Sequence, residues 1–556
     1  MVKRVFNFVY KEVRGLHQAA YVLAMFAFAS QLLAIVRDRL LAHTFGAGTD
    51  LDLYYAAFRI PDLLFVLFAS ALSVFVLLPF VTQRTESDGE KEGAKILSQM
   101  FTLFLMLYVV IAAALALTAP FFTGLLFPGL EQHTEELTLL LRILLLQPLL
   151  LGLSSLCGVV TQMNHRFILY AVSPLLYNIG IILGIVILYP YLGLSGLVLG
   201  VVLGALGHLL VQLPYLFQSA FKFKLLFSFE WKLIGKILAV AIPRALTLST
   251  NQLVLLVMIG MATVMTAGSV SVFQFALNLQ SVPLVIIGMS YSVAAFPTLS
   301  SLYAKQDGNG FNLQLLTAFR HIIFWSIPIV ILIIVLRAQI VRVLLGSGEF
   351  DWSDTRLTAA VLAVFVVSLT AQAILLLLTR AFYACGKTFT PLWIAIVSGS
   401  VAVLSALYLK DVYLASGSLQ SGVESVLRLS SVTGSEVLVL VVAFTLGQFL
   451  QVFLMMMASI TLFNINYGLL WRLLWQSLLA GIAGGVIAYG VLRFIVDGIN
   501  QDTFLGILLQ GFIAGVAGLS AVVVVYHLSR SPELKEIFRS FHTKFSKIPL
   551  SDGPTN

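Results

Sequence analysis

The sequence predicts an all-α polytopic membrane protein with about fourteen transmembrane helices. Of its 556 residues, 60% are hydrophobic and only 10% are charged. Soluble domains carry about 25% charged residues, so this composition excludes a soluble enzyme. The apolar residues form continuous runs without polar alternation, which excludes a transmembrane β-barrel, and only helices then satisfy the backbone in lipid.

Each apolar run is long enough to cross a bilayer, which takes about 20 residues. The first run follows a basic start and resembles a signal peptide. It continues to Val36 without a small-residue cleavage pattern, and we interpret it as a retained span. The predicted helices cover residues 19–42, 52–83, 96–120, 137–163, 168–190, 193–218, 236–266, 269–302, 315–345, 356–384, 390–410, 436–463, 468–495 and 503–529.

Prolines repeat along the chain in a pattern that predicts two similar halves. Pro61 and Pro283 lie 222 residues apart, and Pro174 and Pro391 lie 217 apart, each pair at matching places in predicted helices. Such an internal repeat predicts two six-helix lobes in parallel orientation, as in many transporters. The predicted organisation is a cytoplasmic N-terminus (1–18), an N-lobe (19–220), a basic cytoplasmic linker (221–235), a C-lobe (236–463), two further helices (468–529) and a cytoplasmic tail (530–556).

The distribution of Lys and Arg over the loops predicts the orientation. If the N-terminus is cytoplasmic, the inner segments hold 22 of these residues and the outer segments hold 5. Because cytoplasmic loops of membrane proteins are enriched in Lys and Arg, we expect both termini in the cytoplasm.

Charged residues within the predicted spans are candidates for ligand binding. A charge at membrane depth costs several kcal/mol unless it meets a partner or a cavity. The first half has an excess of positive charge, so a cavity there favours an anion, and arginine suits phosphate through paired hydrogen bonds. Local ion pairs, or a position close to the outer surface for Arg142, are the alternative interpretation. The residues concerned are Arg37, Arg39, Arg59 and Arg142, with Asp38 and Asp62.

Motifs for catalysis, metal binding or nucleotide binding are absent from the sequence. It contains no HExxH, no CxxC and no complete Walker loop (GxxxxGKS or GxxxxGKT), and its eight histidines are scattered. No clustered basic face on a soluble domain suggests nucleic acid. We therefore expect no enzyme activity, catalytic residue, cofactor, metal or nucleic-acid partner.

Several blocks of the sequence resemble the MurJ/MviN family of lipid II flippases, within the multidrug/oligosaccharidyl-lipid/polysaccharide exporter superfamily. The blocks are Ser30–Asp38, Phe45–Gly48 with Asp52, Ala57–Leu64, Asn164–Phe167, Ser173–Asn178, Phe296–Ser300, Arg380–Tyr383 and Thr390-Pro391. They extend over most of the chain, and the first of them is the most specific.

The resemblance implies a bacterial inner-membrane carrier for peptidoglycan synthesis. Its substrate would be an undecaprenyl-pyrophosphate-linked glycan, moved from the inner to the outer leaflet by alternating access, with the lipid tail held at the last two helices. Membrane lipid and cell-wall synthesis proteins are the further expected partners. The predicted substrate-binding residues are Arg37, Asp38, Asp52, Arg59 and Arg142, and the predicted gating or structural residues are Pro61, Asn164, Asn178, Asn278 and Pro283.

The sequence departs from the family at several charged positions. Gln31 and Phe65-Val66 stand where the family usually carries arginines. We therefore expect a pyrophosphate site that is weaker or differently placed. The alternatives are an exporter of another lipid-linked glycan or of a drug, and a membrane scaffold for cell-wall enzymes that transports nothing.

Overall fold

The computed structural model describes residues 16–219, 221–495, 498 and 503–536, and within them the chain forms helices and no strand. The α-helices are α1 (Leu16–Phe45), α2 (Thr49–Leu72), α3 (Val74–Asp88), α4 (Glu90–Leu126), α5 (Thr134–Leu144), α6 (Leu146–Met163), α7 (Phe167–Leu183), α8 (Tyr189–Leu210), α9 (Leu213–Gln218), α10 (Trp231–Thr263), α11 (Ser269–Leu284), α12 (Ser290–Ala304), α13 (Gly308–Leu344), α14 (Trp352–Val367), α15 (Leu369–Ala384), α16 (Phe389–Ala415), α17 (Gly417–Leu427), α18 (Val437–Phe463), α19 (Trp471–Gly490) and α20 (Phe504–Leu528).

The all-helical fold is confirmed, but the count of fourteen spans is not. Over the described residues, 11 helical segments are long and apolar enough to cross a membrane, or 12 if α14 and α15, which meet at 44°, form one bent span. Two predicted spans fall within one such segment, Phe167–Phe217, which bends at Gly193.

The chain divides into two compact units. Unit 1 consists of the described residues of Met1–Phe275, Leu344–Leu357 and Pro391–Phe444. Unit 2 consists of those of Ala276–Val343, Thr358–Thr390 and Thr445–Asn556. The predicted parallel repeat of two six-helix lobes stays a prediction.

Unit 1 is built around one large apolar core. Leu97 on α4, Leu141 on α5, Val160 on α6 and Ile237 on α10 are fully buried and belong to one continuous cluster. In water, the burial of apolar side chains stabilises a folded protein by about 25 cal/mol for each Å² of apolar surface removed from the solvent. In lipid the same contacts act through close packing instead, because the surrounding tails are equally apolar.

Glycines allow α7 and α8 to approach closely within unit 1. A Cβ atom at Gly200 would collide with the backbone of Gly184, and one at Gly204 would collide with the carbonyl of Tyr177. The small-residue spacing of α8 therefore has the role that such spacing has in membrane helices, which is to bring two backbones together.

Unit 2 holds α13, α19 and α20 against one another. Gly481 faces Ile331 of α13, and Gly484 and Gly518 bring α19 and α20 into contact. The buried Tyr526 hydroxyl donates to the Phe324 carbonyl at 2.8 Å and lies 2.9 Å from the Ser477 Oγ. These bonds satisfy a buried hydroxyl that would otherwise be costly at membrane depth.

Candidate functional site

Helix α1 carries the first predicted site pair, Arg37 and Asp38. Arg37 donates to Asp38 Oδ1 from both Nε (2.9 Å) and Nη2 (2.7 Å). Asp38 is buried, and 21% of the Arg37 side chain is exposed. The local ion pair that the sequence suggested is therefore present, and it lowers the cost of holding Arg37 at this depth.

Asn178 on α7 extends this pair into a network. Its Oδ1 accepts from Arg37 Nη1 at 3.2 Å, and its Nδ2 donates to Ser30 Oγ at 3.2 Å and to the Pro174 carbonyl at 3.2 Å. Asn178 was predicted as a gating or structural residue. The geometry gives it the position of a support that orients the Arg37 guanidinium from a second helix.

Arg59 lies on α2 and is buried, with 7% of its surface exposed. Its Nε donates to the Tyr55 carbonyl at 3.1 Å, and its Nη2 donates to Gln274 Oε1 at 3.1 Å. Among the described ion pairs there is none between Arg59 and Asp62. The hydrogen bonds of Arg59 are thus to neutral acceptors, while the carboxylate of Asp62 interacts with it electrostatically.

Buried tyrosines connect these groups. Tyr55 lies close enough to Arg37, Asp38 and Arg59 to interact electrostatically with all three, and its buried hydroxyl has no hydrogen-bond partner among the residues that the structure describes. Arg37 and Arg59 therefore belong to one polar cluster. An unsatisfied buried hydroxyl costs about 1–3 kcal/mol, and such groups are frequent where a ligand or water is accommodated.

The cluster contains Asp62, which the sequence analysis selected, and Gln147, which it did not. Asp62 interacts electrostatically with Arg59 and is bonded to Gln147 of α6, whose Nε2 also donates to the Tyr177 hydroxyl at 3.1 Å. The Gln147 Oε1 is buried without a partner. The sequence signal that could have identified Gln147 is a glutamine within an apolar run, next to Pro148, in the predicted helix that precedes Asn164.

Asp52 is bonded to the start of another helix. Its Oδ2 accepts from the Gly268 N–H at 2.8 Å, and its Oδ1 accepts from the Ser271 N–H at 2.8 Å and the Ser271 hydroxyl at 2.6 Å. Asp52 is buried, at 3% exposure. A carboxylate at the N-terminus of α11 satisfies free backbone donors and favours the helix dipole.

The same end of unit 1 holds a second close approach. The Ala47 N–H donates to Asp354 Oδ2 at 3.1 Å, and the Glu349 N–H donates to the His43 carbonyl at 3.0 Å. A Cβ at Gly268, whose φ is +88°, would collide with the Ala47 carbonyl. Segments from the first and second halves of the chain therefore meet here through backbone atoms.

Arg142 lies apart from the cluster. It is exposed on α5, and its Nε donates to the Ala116 carbonyl at 2.9 Å. This agrees with the alternative interpretation of a residue near the surface, and a role in substrate binding stays a prediction.

The remaining predicted residues occupy helix bends and ends. Pro61 is buried inside α2, and Asn164 follows the last residue of α6, where its Nδ2 donates to the Val160 carbonyl at 2.9 Å. Asn278 and Pro283 lie on α11 in unit 2, and Pro283 comes just before the π-helical turn Val285–Met289. Their gating or structural roles stay predictions.

A chain of membrane-spanning helices that holds arginines in one polar cluster has the features of a polytopic membrane carrier. The family model described as "Lipid II flippase MurJ" matches residues 41–494. The chain belongs to this family, which confirms the resemblance seen in the sequence. Flippases are transporters, so the expectation of a protein that is not an enzyme is also confirmed by the family.

Individual relatives and solved structures agree with this assignment. A probable lipid II flippase MurJ of Buchnera aphidicola (strain APS) is 30% identical over 65% of this chain and 72% of that protein. One from Thermotoga maritima is 26% identical over 68% of this chain and 76% of that protein. Among solved structures, a lipid II flippase MurJ in an inward closed conformation gives a TM-score of 0.71 at 21% identity and covers 91% of this chain and 99% of that one. An inward-facing multidrug resistance transporter of the MATE family gives 0.65 at 14% identity, over 78% and 94% of the two chains. These two likenesses show the fold.

Proposed function

We propose that this protein flips lipid II, an undecaprenyl-pyrophosphate-linked peptidoglycan precursor, from the inner to the outer leaflet of the bacterial plasma membrane. Family membership supports the substrate class. The observation that carries the site is that Arg37 and Arg59 both lie within electrostatic reach of the buried Tyr55. Two guanidinium groups in one buried polar cluster suit a diphosphate, which offers several acceptors at one place.

The hydrogen-bond partners of the two arginines support an anionic substrate. Asp38 engages Arg37 directly, whereas Arg59 bonds only to neutral oxygens among its described partners. A pyrophosphate would offer Arg59 a charged hydrogen-bond acceptor in addition to its electrostatic interaction with Asp62, and it would compete with Asp38 and Asn178 for Arg37. The bond from Asn178 would keep the guanidinium oriented during this exchange, while the polyprenyl tail stays in lipid.

Alternating access supplies the transport step of this proposal. The contacts of Asp52 with Gly268 and Ser271, and of Asp354 with Ala47, lie at helix ends that the Lys and Arg distribution assigns to the outer side. We assign these contacts to an outer closure that opens when the headgroup leaves. Asp52, predicted from the resemblance as a substrate-binding residue, then acts in this closure, because its described hydrogen bonds are to a helix start.

The orientation has a direct test. Outward helix ends at residues 43–52 require the cytoplasmic termini that the charge distribution predicts. An impermeant maleimide applied from the periplasmic side should modify Ser418→Cys on α17 and spare Ser546→Cys. Equal labelling of the two positions, or the reverse pattern, would contradict the topology.

Complementation of a strain depleted of its own lipid II flippase tests the function. The unmodified protein should restore growth. Arg37→Ala should abolish growth at normal membrane abundance, and Arg37→Lys should restore it in part at best, because an ammonium cannot form the planar two-bond contact. Arg39→Ala, two residues away, is the matched control and should be tolerated.

These outcomes test the role of Arg37 and the identity of the substrate separately. Growth with Arg37→Ala equal to that with the unmodified protein would refute the pyrophosphate role of Arg37. Failure of the unmodified protein itself, at normal abundance, would favour a different lipid-linked glycan or a scaffold role. The absence of family arginines at Gln31 and Phe65 is the observation that keeps another glycan as the second candidate.

A further inference from the structure

A basic pocket opens where α3, α4 and α10 meet in unit 1. It has a volume of about 490 Å³ and is lined by Arg84 and Phe80 of α3, Ile96 of α4, and Trp231, Lys232 and Lys236 of α10. Trp231 is 64% exposed and packs against Phe229, with ring centroids 5.1 Å apart. An exposed tryptophan beside lysines is typical of the membrane interface, where its ring lies at the level of the headgroups.

The pocket carries positive charge that its own acidic residues do not neutralise. Arg84 pairs with Asp88 at 2.8 Å, Glu92 at 3.5 Å and Glu230 at 3.7 Å. Lys95 pairs with Glu230 at 2.7 Å and with Glu92 at 3.5 Å. The Lys95 ammonium, which bonds to Glu230, holds the pKa of this carboxyl below its ordinary value, so Glu230 stays ionised and engaged with Lys95.

Lys232 and Lys236 are the remaining cations of the pocket. They lie one helical turn apart, are exposed, and form none of the ion pairs found among the described residues. They therefore present two positive charges on one side of the pocket.

An apolar crevice lies further along α4 and α10, with α2 in place of α3 as its third wall. It has a volume of about 160 Å³ and is lined almost entirely by carbon, with Phe68 and Ala71 of α2, Met100 and Phe104 of α4, and Leu238 and Ala241 of α10 among its walls. On α4, Met100 of the crevice is one turn from Ile96 of the pocket on the same face, about 6 Å along the helix. A charged mouth and an apolar extension thus follow one another on shared helices.

The mouth of the pocket is fixed by an unusual set of bonds to the linker before α10. The Lys224 N–H donates to Ser98 Oγ at 3.3 Å, the Leu226 N–H donates to Thr102 Oγ1 at 2.9 Å, and Gln99 Nε2 donates to the Ser228 carbonyl at 2.7 Å. Ser98, Gln99 and Thr102 are all buried on α4. The pocket is therefore preformed, and a ligand would not have to order it.

We propose that this seam binds one anionic glycerophospholipid, with its phosphate at Lys232 and Lys236 and one acyl chain in the crevice. The headgroup would lie at the membrane surface beside Trp231, in the leaflet that the charge distribution assigns to the cytoplasm. A zwitterionic lipid would fill the crevice equally well but would gain less from the two lysines, so the site selects for net negative charge.

Quenching of Trp231 fluorescence by brominated lipids tests the proposal on the full-length protein in a neutral detergent. Phosphatidylglycerol brominated on its acyl chains should quench at a lower mole fraction than phosphatidylcholine brominated in the same way. Subtracting the signal of Trp231→Phe isolates this residue from the other tryptophans. Glycerol phosphate, which is the headgroup without a tail, should not displace the lipid at matched concentration.

Paired variants separate a built site from general surface charge. Lys232→Gln with Lys236→Gln should weaken phosphatidylglycerol binding about fivefold per lysine, roughly 25-fold in all. The matched control, Lys222→Gln with Lys224→Gln, removes two exposed lysines of the same linker outside the pocket and should change binding less than twofold. Ala71→Leu, which fills the crevice, should weaken binding of both brominated lipids.

Four results would overturn the proposal: equal quenching by the two lipids in the unmodified protein, equal losses for the two lysine pairs, unchanged binding in Ala71→Leu, or displacement by glycerol phosphate. The comparison of the two lipids needs no variant, so the proposal can fail even if a substitution prevents folding. None of these measurements depends on transport, so they also stand apart from the flippase proposal.

Discussion

Replacement of Asp52 by asparagine should weaken the contact between α2 and α11. Asparagine keeps the shape and retains one acceptor, which can continue to face the N–H and hydroxyl of Ser271. Its amide nitrogen then faces the Gly268 N–H, which now bonds to Asp52 Oδ2 at 2.8 Å. A bond between an acceptor and a donor is thereby replaced by two opposed donors at a buried position.

The magnitude follows from these bonds. A hydrogen bond to a charged group contributes about 1.5–3 kcal/mol. Loss of the charge at the start of α11 removes roughly a further 0.3–1 kcal/mol. We therefore expect Asp52→Asn to weaken the closure by about 2–4 kcal/mol, which shifts an equilibrium between closed and open states by a factor of roughly 30 to 1,000.

Accessibility of a cysteine next to the contact measures this shift. Ser269 is 1% exposed and lies between the two residues that Asp52 holds, so Ser269→Cys should react slowly with an impermeant maleimide. Adding Asp52→Asn should raise its labelling rate by at least tenfold. Asp50→Asn, an exposed position in the same first turn, is the matched control and should leave the rate unchanged.

Equal labelling rates in the Asp52 and Asp50 variants would refute the assignment of Asp52 to a closure. A faster rate accompanied by loss of the folded protein in detergent would instead show that Asp52 stabilises unit 1 as a whole. Thermal unfolding of the same samples distinguishes these results.

Two further predictions concern unit 2. Burial raises the pKa of Glu533, but hydrogen bonds from Ser531 and Arg320 outweigh the effect of burial and leave this pKa below its ordinary value. The ion pair of Glu533 with Arg320, at 2.7 Å, is therefore complete at neutral pH. Its stabilising contribution is lost as the pH falls through the folded-state pKa of Glu533. Glu533→Gln should therefore destabilise the protein by about 1–3 kcal/mol at pH 7, which is less than the loss of a fully buried pair because Arg320 is 31% exposed. This loss of stability should shrink in acid. The control, Glu536→Gln, should have little effect in thermal unfolding across the same pH range. Gly484→Leu should destabilise the protein by about 1–3 kcal/mol or more, because a Cβ at this position meets Val522 and the Gly518 backbone of α20. Gly490→Leu is the control and should be tolerated in the same unfolding measurement, because the space around Gly490 is open. Equal effects of the two substitutions would contradict the packing of α19 on α20.

The sequence by itself determined the fold class and the family. A bilayer leaves no water to satisfy backbone groups, so long apolar runs have to form helices whatever their neighbours are. Buried charge at Arg37 and Arg59 was also readable, because a charge inside an apolar run is costly and rarely without function. The blocks around these residues carried the family resemblance, which the match over residues 41–494 confirms.

The number of spans was less well determined. Hydropathy locates apolar residues but does not register where a helix bends, so two predicted spans appear as one helical segment around Gly193 and another is bent by 44° between α14 and α15. No helix was predicted between residues 410 and 436, yet this region contains the helix α17. Short polar helices of this kind leave no apolar signal.

Only the tertiary structure decided which partner each polar group has. Asn178 reaches Arg37 across 141 residues, and Asp52 reaches Gly268 across 216, distances over which composition and spacing carry no information. Arg142 illustrates the reverse case, because the same cost argument selected it and packing placed it at the surface. The energy of a buried charge depends on the few atoms around it, and those atoms are brought there by helix packing rather than by the local sequence.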